Sequence, residues 1–592
     1  MASTTNPPAD LAALEAEIAS VSARFNELRL AGAPTEEARK TLSELKKALG
    51  MAKGAAGGRD KKEKEAAAIE GTRDYGPAET SCRAHIEAII RNVFTSFGGS
   101  ALDTPVFERK DVLTDKYGED AKLIFDLQDQ GGEQLALRYD HTVPLARWLA
   151  MTRGTGGGEG TGIGGKIWQI GKVYRRDQPV MSKGRMREFM QADFDIAGSW
   201  DAMIPDAELL SLLSTVLTRL DVGEFTIKLN HRKILDGIFE VCGVPAEKIR
   251  SISSAVDKLD KLPWIEVRKE MTEEKGLDGA IADRIGEYVK NKGGPELLAQ
   301  LKADTTLTAN KNAKEGLADM VILFTLLRAY KVLDRISFDL SLARGLDYYT
   351  GIIYEATVEA SAPPGFKATA DAAPAAAENP PKDKKKPAKT ESADEEPEID
   401  ESQVGVGSIA AGGRYDGLVG AFLAGAAGVD PASKEGKKAM SVGGVTGIPC
   451  IGVSIGMDRV FALLWPKWAE RGGRTKETMV FVMSAGDGLL EERVGLVSEL
   501  RAAGIKCDFL AKSKPKIATQ FAAGERDEVP FAIILGADEV AAGLVTVKEQ
   551  RWEVVEGKKV KIESVDKGTQ VKRAELIEWL KGTDVWKTWE KN

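Results

Sequence analysis

Residues 166–198 read KIWQIGKVYRRDQPVMSKGRMREFMQADFDIAG, and this stretch predicts two β-strands joined by an arginine-rich loop. Side chains alternate between the two faces of a strand, so the second strand has one polar and one apolar face. Apart from Phe189, one face carries the polar residues Gln191, Asp193 and Asp195. The other face carries the apolar residues Met190, Ala192, Phe194 and Ile196. We expect the apolar face to be buried and the polar face to form a pocket floor.

Four arginines lie on or near the connecting loop: Arg175, Arg176, Arg185 and Arg187. A planar guanidinium group suits bidentate contact with phosphate oxygens better than an ammonium group does. The loop therefore predicts a site for a polyanionic ligand such as ATP.

The length and composition indicate a multidomain protein without a membrane segment. The 592 residues correspond to about four domains at roughly 150 residues each, and no run of about 18 apolar residues occurs. The N-terminal segment carries acidic residues early and no arginine before Arg24, unlike a secretory or mitochondrial leader. We expect a cytoplasmic protein, and a mitochondrial form from an alternative start stays open.

Cysteine, histidine and charge exclude several kinds of site. The four cysteines are scattered without C-x-x-C spacing, which argues against a disulfide framework or a structural zinc site. The three histidines leave little scope for a histidine-based relay or metal centre. The net charge of −8 means that an RNA partner would have to bind local basic patches.

Periodicity and composition divide the chain into segments. Residues 1–50 predict a helical hairpin, read either as an interaction appendage or as an RNA-binding helix pair, and residues 51–70 a linker. Residues 71–470 predict a large α/β body, with a helix from Pro77 to Phe97, a strand around Thr104 to Phe107, a helical insertion at 231–330 and a disordered loop at 361–403. Residues 478–592 predict a three-layer α/β domain with a C-terminal extension.

Four more segments carry distinctive motifs: LRYDHTVPLARWLA (137–150), DLSLARGLDYYTGIIYEA (339–356), AAGGRYDGLVG (410–420) and IGVSIGMDRVFALL (451–464). Each has an ordinary interpretation on its own, since Arg-Tyr-Asp also suits a salt-bridged turn. All five in order resemble the histidyl-tRNA synthetases of eukaryotic type, with 166–198 as class II motif 2 and 451–464 as motif 3. The resemblance covers about 71–550.

The resemblance implies a fold and a reaction. The fold is α/β (α+β), with a class II antiparallel-sheet catalytic core, a C-terminal anticodon-binding domain and a homodimer interface built by the helix from Pro77 and the strand after it. The reaction joins L-histidine and ATP into histidyl-adenylate and pyrophosphate, and then transfers histidine to tRNA(His). ATP would bring Mg²⁺ with it, and no protein side chain is assigned as a metal ligand.

The resemblance also implies residue roles. Arg175 would hold the α-phosphate and the carboxylate, and Arg344 would act opposite it where other class II enzymes use a metal ion, so both are the expected catalytic residues. The expected ATP-binding residues are Arg175, Asp177, Arg185 and Arg459. The expected histidine-binding residues are Asp140, Thr142, Arg175, Gln191, Asp195, Arg344, Tyr348, Tyr349 and Tyr415. His141 departs from the family pattern and receives no role.

Two further points stay open in the sequence. Lys512, Ser513, Lys514 and Lys516 form a basic cluster that suits RNA phosphates or a solvated face. Synthetase-like chains that only bind histidine or uncharged tRNA are an alternative, as is a synthetase for Thr, Pro, Ser or Gly. The presence of Arg175, Arg344 and Arg459, the LARGLDYYTG motif and the C-terminal domain favours a histidine-specific enzyme.

Overall fold

The computed structural model describes residues 20–21, 41, 68–114, 118–127, 131–152, 165–260, 262–343, 348–358, 407–430, 433–442, 445–470, 476–486, 488–555, 558–562 and 568–590. The chain divides after Asp74, and the following description concerns the unit from Tyr75 onward. The predicted loop at 361–403 lies outside the described residues. So does the predicted N-terminal hairpin, except for three helical positions at 20, 21 and 41.

The body is built on a nine-stranded sheet. Its strands and those of two small two-stranded sheets, β2–β3 and β11–β12, are, in chain order, β1 Ser100–Ala101, β2 Phe107–Arg109, β3 Leu135–Leu137, β4 Gly165–Tyr174, β5 Glu188–Ala197, β6 Phe225–His231, β7 Lys292–Gly293, β8 Ile336–Asp339, β9 Ile352–Val358, β10 Ala410–Arg414, β11 Ser441–Val442, β12 Val445–Thr446 and β13 Cys450–Gly456. The order in the large sheet is β1-β4-β5-β13-β10-β9-β6-β8-β7. The five central pairings from β4 to β6 are antiparallel, whereas β1–β4 and β6–β8 are parallel.

Fourteen α-helices accompany this sheet in the described part of the body: α1 Pro77–Ser96, α2 Lys110–Thr114, α3 Thr142–Thr152, α4 Ile204–Arg219, α5 Arg232–Cys242, α6 Ile249–Val256, α7 Trp264–Lys269, α8 Gly279–Val289, α9 Pro295–Ala303, α10 Thr305–Ala309, α11 Lys311–Ala329, α12 Leu418–Ala426, α13 Lys434–Met440 and α14 Met457–Glu470. Helices α5 to α11 all fall between β6 and β8, where the sequence predicts a helical insertion. Their apolar side chains join the same core cluster as the central sheet, so the insertion extends that core.

The alternation predicted for β5 is confirmed. Ala192, Phe194 and Ile196 lie in the core, with Phe94 and Phe194 rings 5.2 Å apart. The polar residues face the other way, and each is opposite a small residue of β13: Gln191 pairs with Gly456, Asp193 with Ser454 and Asp195 with Gly452. These small partners leave space above the polar face of β5.

One predicted strand is wrong in its position. The expected strand around Thr104 to Phe107 is replaced by β1 and β2, with Thr104 between them. Thr104 uses its polar groups outside a ladder, because its carbonyl accepts from Arg138 Nη1 at 2.6 Å and its hydroxyl donates to Gln169 Oε1 at 2.9 Å.

The C-terminal domain contains a second sheet with helices on both faces. Its strands are β14 Val480–Ser484, β15 Cys507–Phe509, β16 Phe531–Leu535, β17 Leu544–Glu549 and β20 Thr569–Lys572, in the order β15-β14-β16-β17-β20, and β18 Arg551–Val555 and β19 Lys558–Ile562 form a hairpin. Its helices are α15 Leu490–Ala502, α16 Ile517–Arg526, α17 Ala537–Ala541, α18 Leu576–Gly582 and α19 Asp584–Glu590.

Successive residues of β14 enter different cores in this domain. Val480 and Val482 pack with residues of α15 and α18, while Phe481 and Met483 pack with Ala523 of α16. Since neighbouring side chains point to opposite faces of a strand, this arrangement is the predicted three-layer α/β fold. In the described part of the chain, no helix is long and apolar enough to cross a bilayer.

Candidate active site

An open cleft of about 130 Å³ lies over the polar face of the large sheet. The β4–β5 hairpin contributes Arg175, Arg185 and Gln191 to its lining, β13 contributes Ser454, and the first turn of α14 contributes Arg459. Asp177, which is exposed, also borders the cleft. The sheet therefore brings together three arginines predicted for ATP although they are up to 284 positions apart in the chain (459 minus 175).

Arg175 is held in place on three sides. Its Nε donates to the carbonyl of Tyr139 at 3.2 Å, and its Nη2 donates to Gln191 Oε1 at 3.3 Å. Its guanidinium group lies 4.2 Å from the ring centroid of Tyr139 and 5.2 Å from that of Phe189. These contacts orient a cation on the cleft wall before any ligand arrives, which limits the reorganisation needed on binding.

Arg185 enters the cleft from the hairpin loop. The loop turns at Gly184, whose φ of +68° is in the left-handed region that favours glycine. A Cβ there would lie 2.5 Å from the carbonyl oxygen of Asp458, so the loop packs closely on the start of α14. Arg185 Nε is buried and has no hydrogen-bond partner among the described residues. Since buried donors are normally paired, this group is available to bind an anion in the cleft.

Arg459 is positioned by its neighbour Asp458, which sequence reasoning did not single out. The Asp458 carboxylate is buried and accepts from Tyr75 Oη at 2.6 Å, from the Met190 backbone N–H at 2.6 Å and from Arg83. It thereby ties α14 to α1 and to β5. Arg459 Nη1 donates to the carbonyl of Ser408 across the cleft.

The polar stripe on β5 continues from the arginines into a buried network. Gln191 Nε2 donates to both oxygens of Asp193 at 2.9 and 3.0 Å, and Ser454 Oγ donates to Asp193 Oδ2 at 2.7 Å. Burial and the charge of Asp195 raise the pKa of the Asp193 carboxyl well above its ordinary value. Asp193 thus fixes the Gln191 amide, so that its oxygen faces Arg175.

Asp195 and Tyr415 form a buried pair at the far end of this stripe. The Tyr415 hydroxyl donates to Asp195 Oδ1, and both residues are at most 3% exposed. Burial raises the pKa of Asp195 to about 7, although the hydrogen bond from Tyr415 lowers it. Burial and the adjacent Asp195 raise the pKa of the Tyr415 phenol well above its usual range, so Tyr415 stays a donor.

Glycine and two further tyrosines shape the space around this pair. A Cβ on Gly452 would lie 1.8 Å from Asp195 Oδ1, so β13 requires glycine at that position. Tyr348 lies 5.8 Å from Tyr415 and 4.9 Å from Tyr349 between ring centroids. The four residues predicted to surround an imidazole, Asp195, Tyr348, Tyr349 and Tyr415, are therefore assembled in one place.

Asp140 and Thr142 lie at the start of α3 and are buried. Asp140 Oδ1 accepts from the backbone N–H groups of Thr142 at 3.0 Å and Val143 at 3.2 Å, so this carboxylate also caps the helix. His141 is 1% exposed and its Nε2 lies 3.3 Å from the carbonyl of Gln191. Burial lowers the pKa of His141 to about 3, so it is a neutral packing residue beneath the site.

The GGRYDG motif contributes structure as well as Tyr415. Arg414 donates through Nε to Asp206 Oδ1 at 3.0 Å, through Nη2 to Asp206 Oδ2 and through Nη1 to Asp416 at 3.1 Å. Burial opposes the charge of Arg414, but these carboxylates raise its pKa above the ordinary value. The ordinary interpretation of Arg-Tyr-Asp as a salt-bridged turn therefore also holds for residues 414–416.

Arg344, the remaining predicted site residue, lies outside the described residues, as do the three positions after it. Within the described part of the chain, no three His, Cys, Asp or Glu side chains are grouped so that they could hold a metal ion. The four cysteines are buried and free.

Comparison with known proteins identifies the family. The family model for histidyl-tRNA synthetase matches residues 71–364, and the anticodon binding domain model matches residues 478–583. The histidine–tRNA ligase of Danio rerio is 47% identical over 515 residues, which are 86% of this chain and 88% of the relative. The chain belongs to the histidyl-tRNA synthetase family.

Further relatives agree with this family assignment. A mitochondrial histidine–tRNA ligase of Saccharomyces cerevisiae is 46% identical over 81% of each chain. The crystal structure of the histidyl-tRNA synthetase of Nostoc superposes with a TM-score of 0.61 at 25% identity, covering 87% of this chain and 98% of that one. The predicted fold class is thereby confirmed, including the C-terminal anticodon-binding domain.

Proposed function

We propose that the chain is a histidine–tRNA ligase that activates histidine with ATP and transfers it to the 3′ end of tRNA(His). The observation that carries the proposal is the continuous polar stripe from Arg175 through Gln191 to Asp195. One end of this stripe lies in a cleft lined by arginines, and the other end is a buried carboxylate–phenol pair. A bound histidine along the stripe would present its carboxylate to the nucleotide and its ring to Asp195.

In the first step, a carboxylate oxygen of histidine attacks the α-phosphorus of ATP, and the bond from that phosphorus to the β-phosphate oxygen breaks. Arg175 would hold the α-phosphate and the attacking carboxylate, since it reaches the cleft beside Gln191. Arg185 and Arg459 would bind the leaving pyrophosphate end, with Asp177 at the rim. Fixed cations of this kind stabilise charge that develops in the transition state.

For the amino acid, Asp140, Thr142 and Gln191 would hold the α-ammonium group at the start of α3. Asp195 would accept from one imidazole nitrogen while Tyr415, Tyr348 and Tyr349 enclose the ring. A side chain that leaves a buried carboxylate unpaired is strongly rejected, and such sites discriminate by about 10⁴-fold or more. In the second step, the terminal ribose hydroxyl attacks the histidyl carbonyl carbon and AMP leaves.

Three further assignments complete the proposal. Mg²⁺ would enter with ATP and supply charge neutralisation on the phosphates. The protein would form a homodimer through α1, and sedimentation equilibrium should give twice the chain mass. It would act in the cytoplasm, and relatives carry cytoplasmic as well as mitochondrial names.

Arg344 provides a test of the catalytic roles. We expect Arg344→Ala to lower histidine-dependent exchange of pyrophosphate into ATP by about 10²–10³-fold, because one fixed charge beside the α-phosphate is removed. Tyr348, the first described residue after this position, packs on Tyr415 with ring centroids 5.8 Å apart. The control is Arg219→Ala, at the exposed end of α4. Exchange by Arg344→Ala at the rate of this control would refute the role.

A further inference from the structure

A fully buried arginine in the C-terminal domain organises the loop that carries the basic cluster. Arg493 of α15 is 0% exposed. Its guanidinium group donates to four backbone carbonyls: Gly488 at 2.8 Å, Leu510 at 3.1 Å, Lys512 at 2.7 Å and Ser513 at 3.2 Å. Three of these belong to the loop between β15 and α16, so one buried cation determines the course of that loop.

A second buried side chain holds the other end of the same loop. Gln520 of α16 is 0% exposed and donates through Nε2 to the carbonyl of Pro515 at 3.2 Å. The same amide exchanges two hydrogen bonds with the backbone of Ser484 at the end of β14. Gly488 closes the third side, because a Cβ there would lie 2.3 Å from the carbonyl oxygen of Ser513.

The hydrogen bonds from Arg493 and Gln520 turn the carbonyl groups of the loop peptides toward the interior of the domain. With the carbonyls of Leu510, Lys512 and Ser513 directed at Arg493, their dipoles do not oppose an anion that approaches from solvent. The side chains at 511–514 and 516 are exposed, and they include Lys512, Lys514 and Lys516. The loop also follows β15, a parallel strand, at the carboxyl edge where α/β sheets commonly bind ligands.

We propose that Arg493, Gln520 and Gly488 are positioning residues that hold the 510–516 loop as a phosphate-binding surface for tRNA. Arg493 acts through the loop and does not touch RNA, because it is wholly buried. Lys512 and Lys514 make the contacts with RNA phosphates. This proposal rests on the proposed tRNA ligase function and adds the part of the domain that binds the tRNA backbone.

The direct contacts are tested by the double variant Lys512→Gln/Lys514→Gln. Its KM for tRNA in aminoacylation should rise about 10-fold, and the slope of log affinity against log salt should become less steep by about 2, one unit for each lost phosphate contact. Histidine-dependent pyrophosphate exchange, which needs no tRNA, should be unchanged. The matched control is Lys506→Gln, an exposed lysine of the same domain that pairs with Glu477.

The positioning role is tested by Arg493→Lys, which keeps the charge but cannot reach four carbonyls with one ammonium group. The slope of log affinity against log salt should become less steep, as in the double lysine variant, although Arg493→Lys has the same net charge as the wild type. Histidine-dependent pyrophosphate exchange should be retained. Gly488→Ala displaces the loop from its other side, because the added Cβ meets the carbonyl oxygen of Ser513, and it should give the same result. It replaces Arg493→Lys as the test if that variant fails to fold.

The outcomes separate three claims: the phosphate-binding surface, the positioning role and the proposed function. A double lysine variant with the KM and salt slope of Lys506→Gln would overturn the phosphate-binding surface. A reduced slope in that variant, but a wild-type slope in both Arg493→Lys and Gly488→Ala, would overturn the positioning role. Absence of histidine-dependent exchange in the wild-type protein would instead reject the proposed function.

Discussion

Asp195→Asn is expected to reduce kcat/KM for histidine in pyrophosphate exchange by about 10³-fold, because the buried carboxylate that receives the imidazole is lost. Asparagine has nearly the same shape and can still accept the hydrogen bond from Tyr415. The loss should therefore come from the charge and from the changed hydrogen-bonding pattern. Exchange with histidine at the wild-type rate would contradict the assignment of Asp195.

The same substitution should make the protein more stable at pH 8. Burial raises the folded-state pKa of Asp195 from 3.8 to about 7, so the folded protein holds this proton more tightly than the unfolded chain. The destabilisation is absent below the unfolded pKa, grows as pH rises between the two values and is complete above about 7. Removing the carboxyl should raise the free energy of unfolding at pH 8 by a few kcal/mol, on the order expected from a shift of this size.

Thermal melting at several pH values measures this effect. The difference between Asp195→Asn and wild type should shrink from pH 8 to pH 4. The control Asp201→Asn removes an exposed carboxylate of the same body and should show no such trend. A gain in stability that is the same at both pH values would show that the buried charge is not its source.

Arg175→Lys is the second substitution with a large expected effect. An ammonium group cannot donate to Tyr139 and Gln191 while also contacting two oxygens, so the cation loses its fixed direction. We expect kcat for exchange to fall by about 10²–10³-fold, with a smaller change in KM for ATP, because the contact is strongest in the transition state.

The adjacent Arg176 supplies the control for this prediction. Arg176 is exposed and does not line the cleft, so Arg176→Lys should exchange at close to the wild-type rate. Equal losses in the two variants, or a loss in Arg175→Lys confined to KM, would contradict the role of Arg175 at the reacting phosphate.

The sequence predicted the parts of the site that depend on the pattern of neighbouring residues along the chain. Alternation along β5 separates Gln191, Asp193 and Asp195 from the core residues between them, and the structure confirms that division. The Arg-Tyr-Asp motif at 414–416 contains both a pocket residue, Tyr415, and a structural arginine, Arg414. Periodicity cannot separate these roles, because they depend on Asp195 and Asp206 from other elements.

Contacts between distant segments could not be predicted from the sequence. Asp458 receives hydrogen bonds from Tyr75, Arg83 and Met190, and no spacing in the chain relates these positions. Arg493 is a similar case, because an arginine in the second turn of a helix ordinarily indicates a solvated charge. Its burial depends on loop carbonyls that converge only after the sheet has formed.

Pyrophosphate exchange with each of the twenty amino acids tests the central claim most directly. If the arginine cleft and the Asp195–Tyr415 pocket act as one site, the purified protein will exchange pyrophosphate into ATP with histidine and at least about 10³-fold more slowly with the others. Comparable exchange with a second amino acid, or none with histidine, would contradict the account.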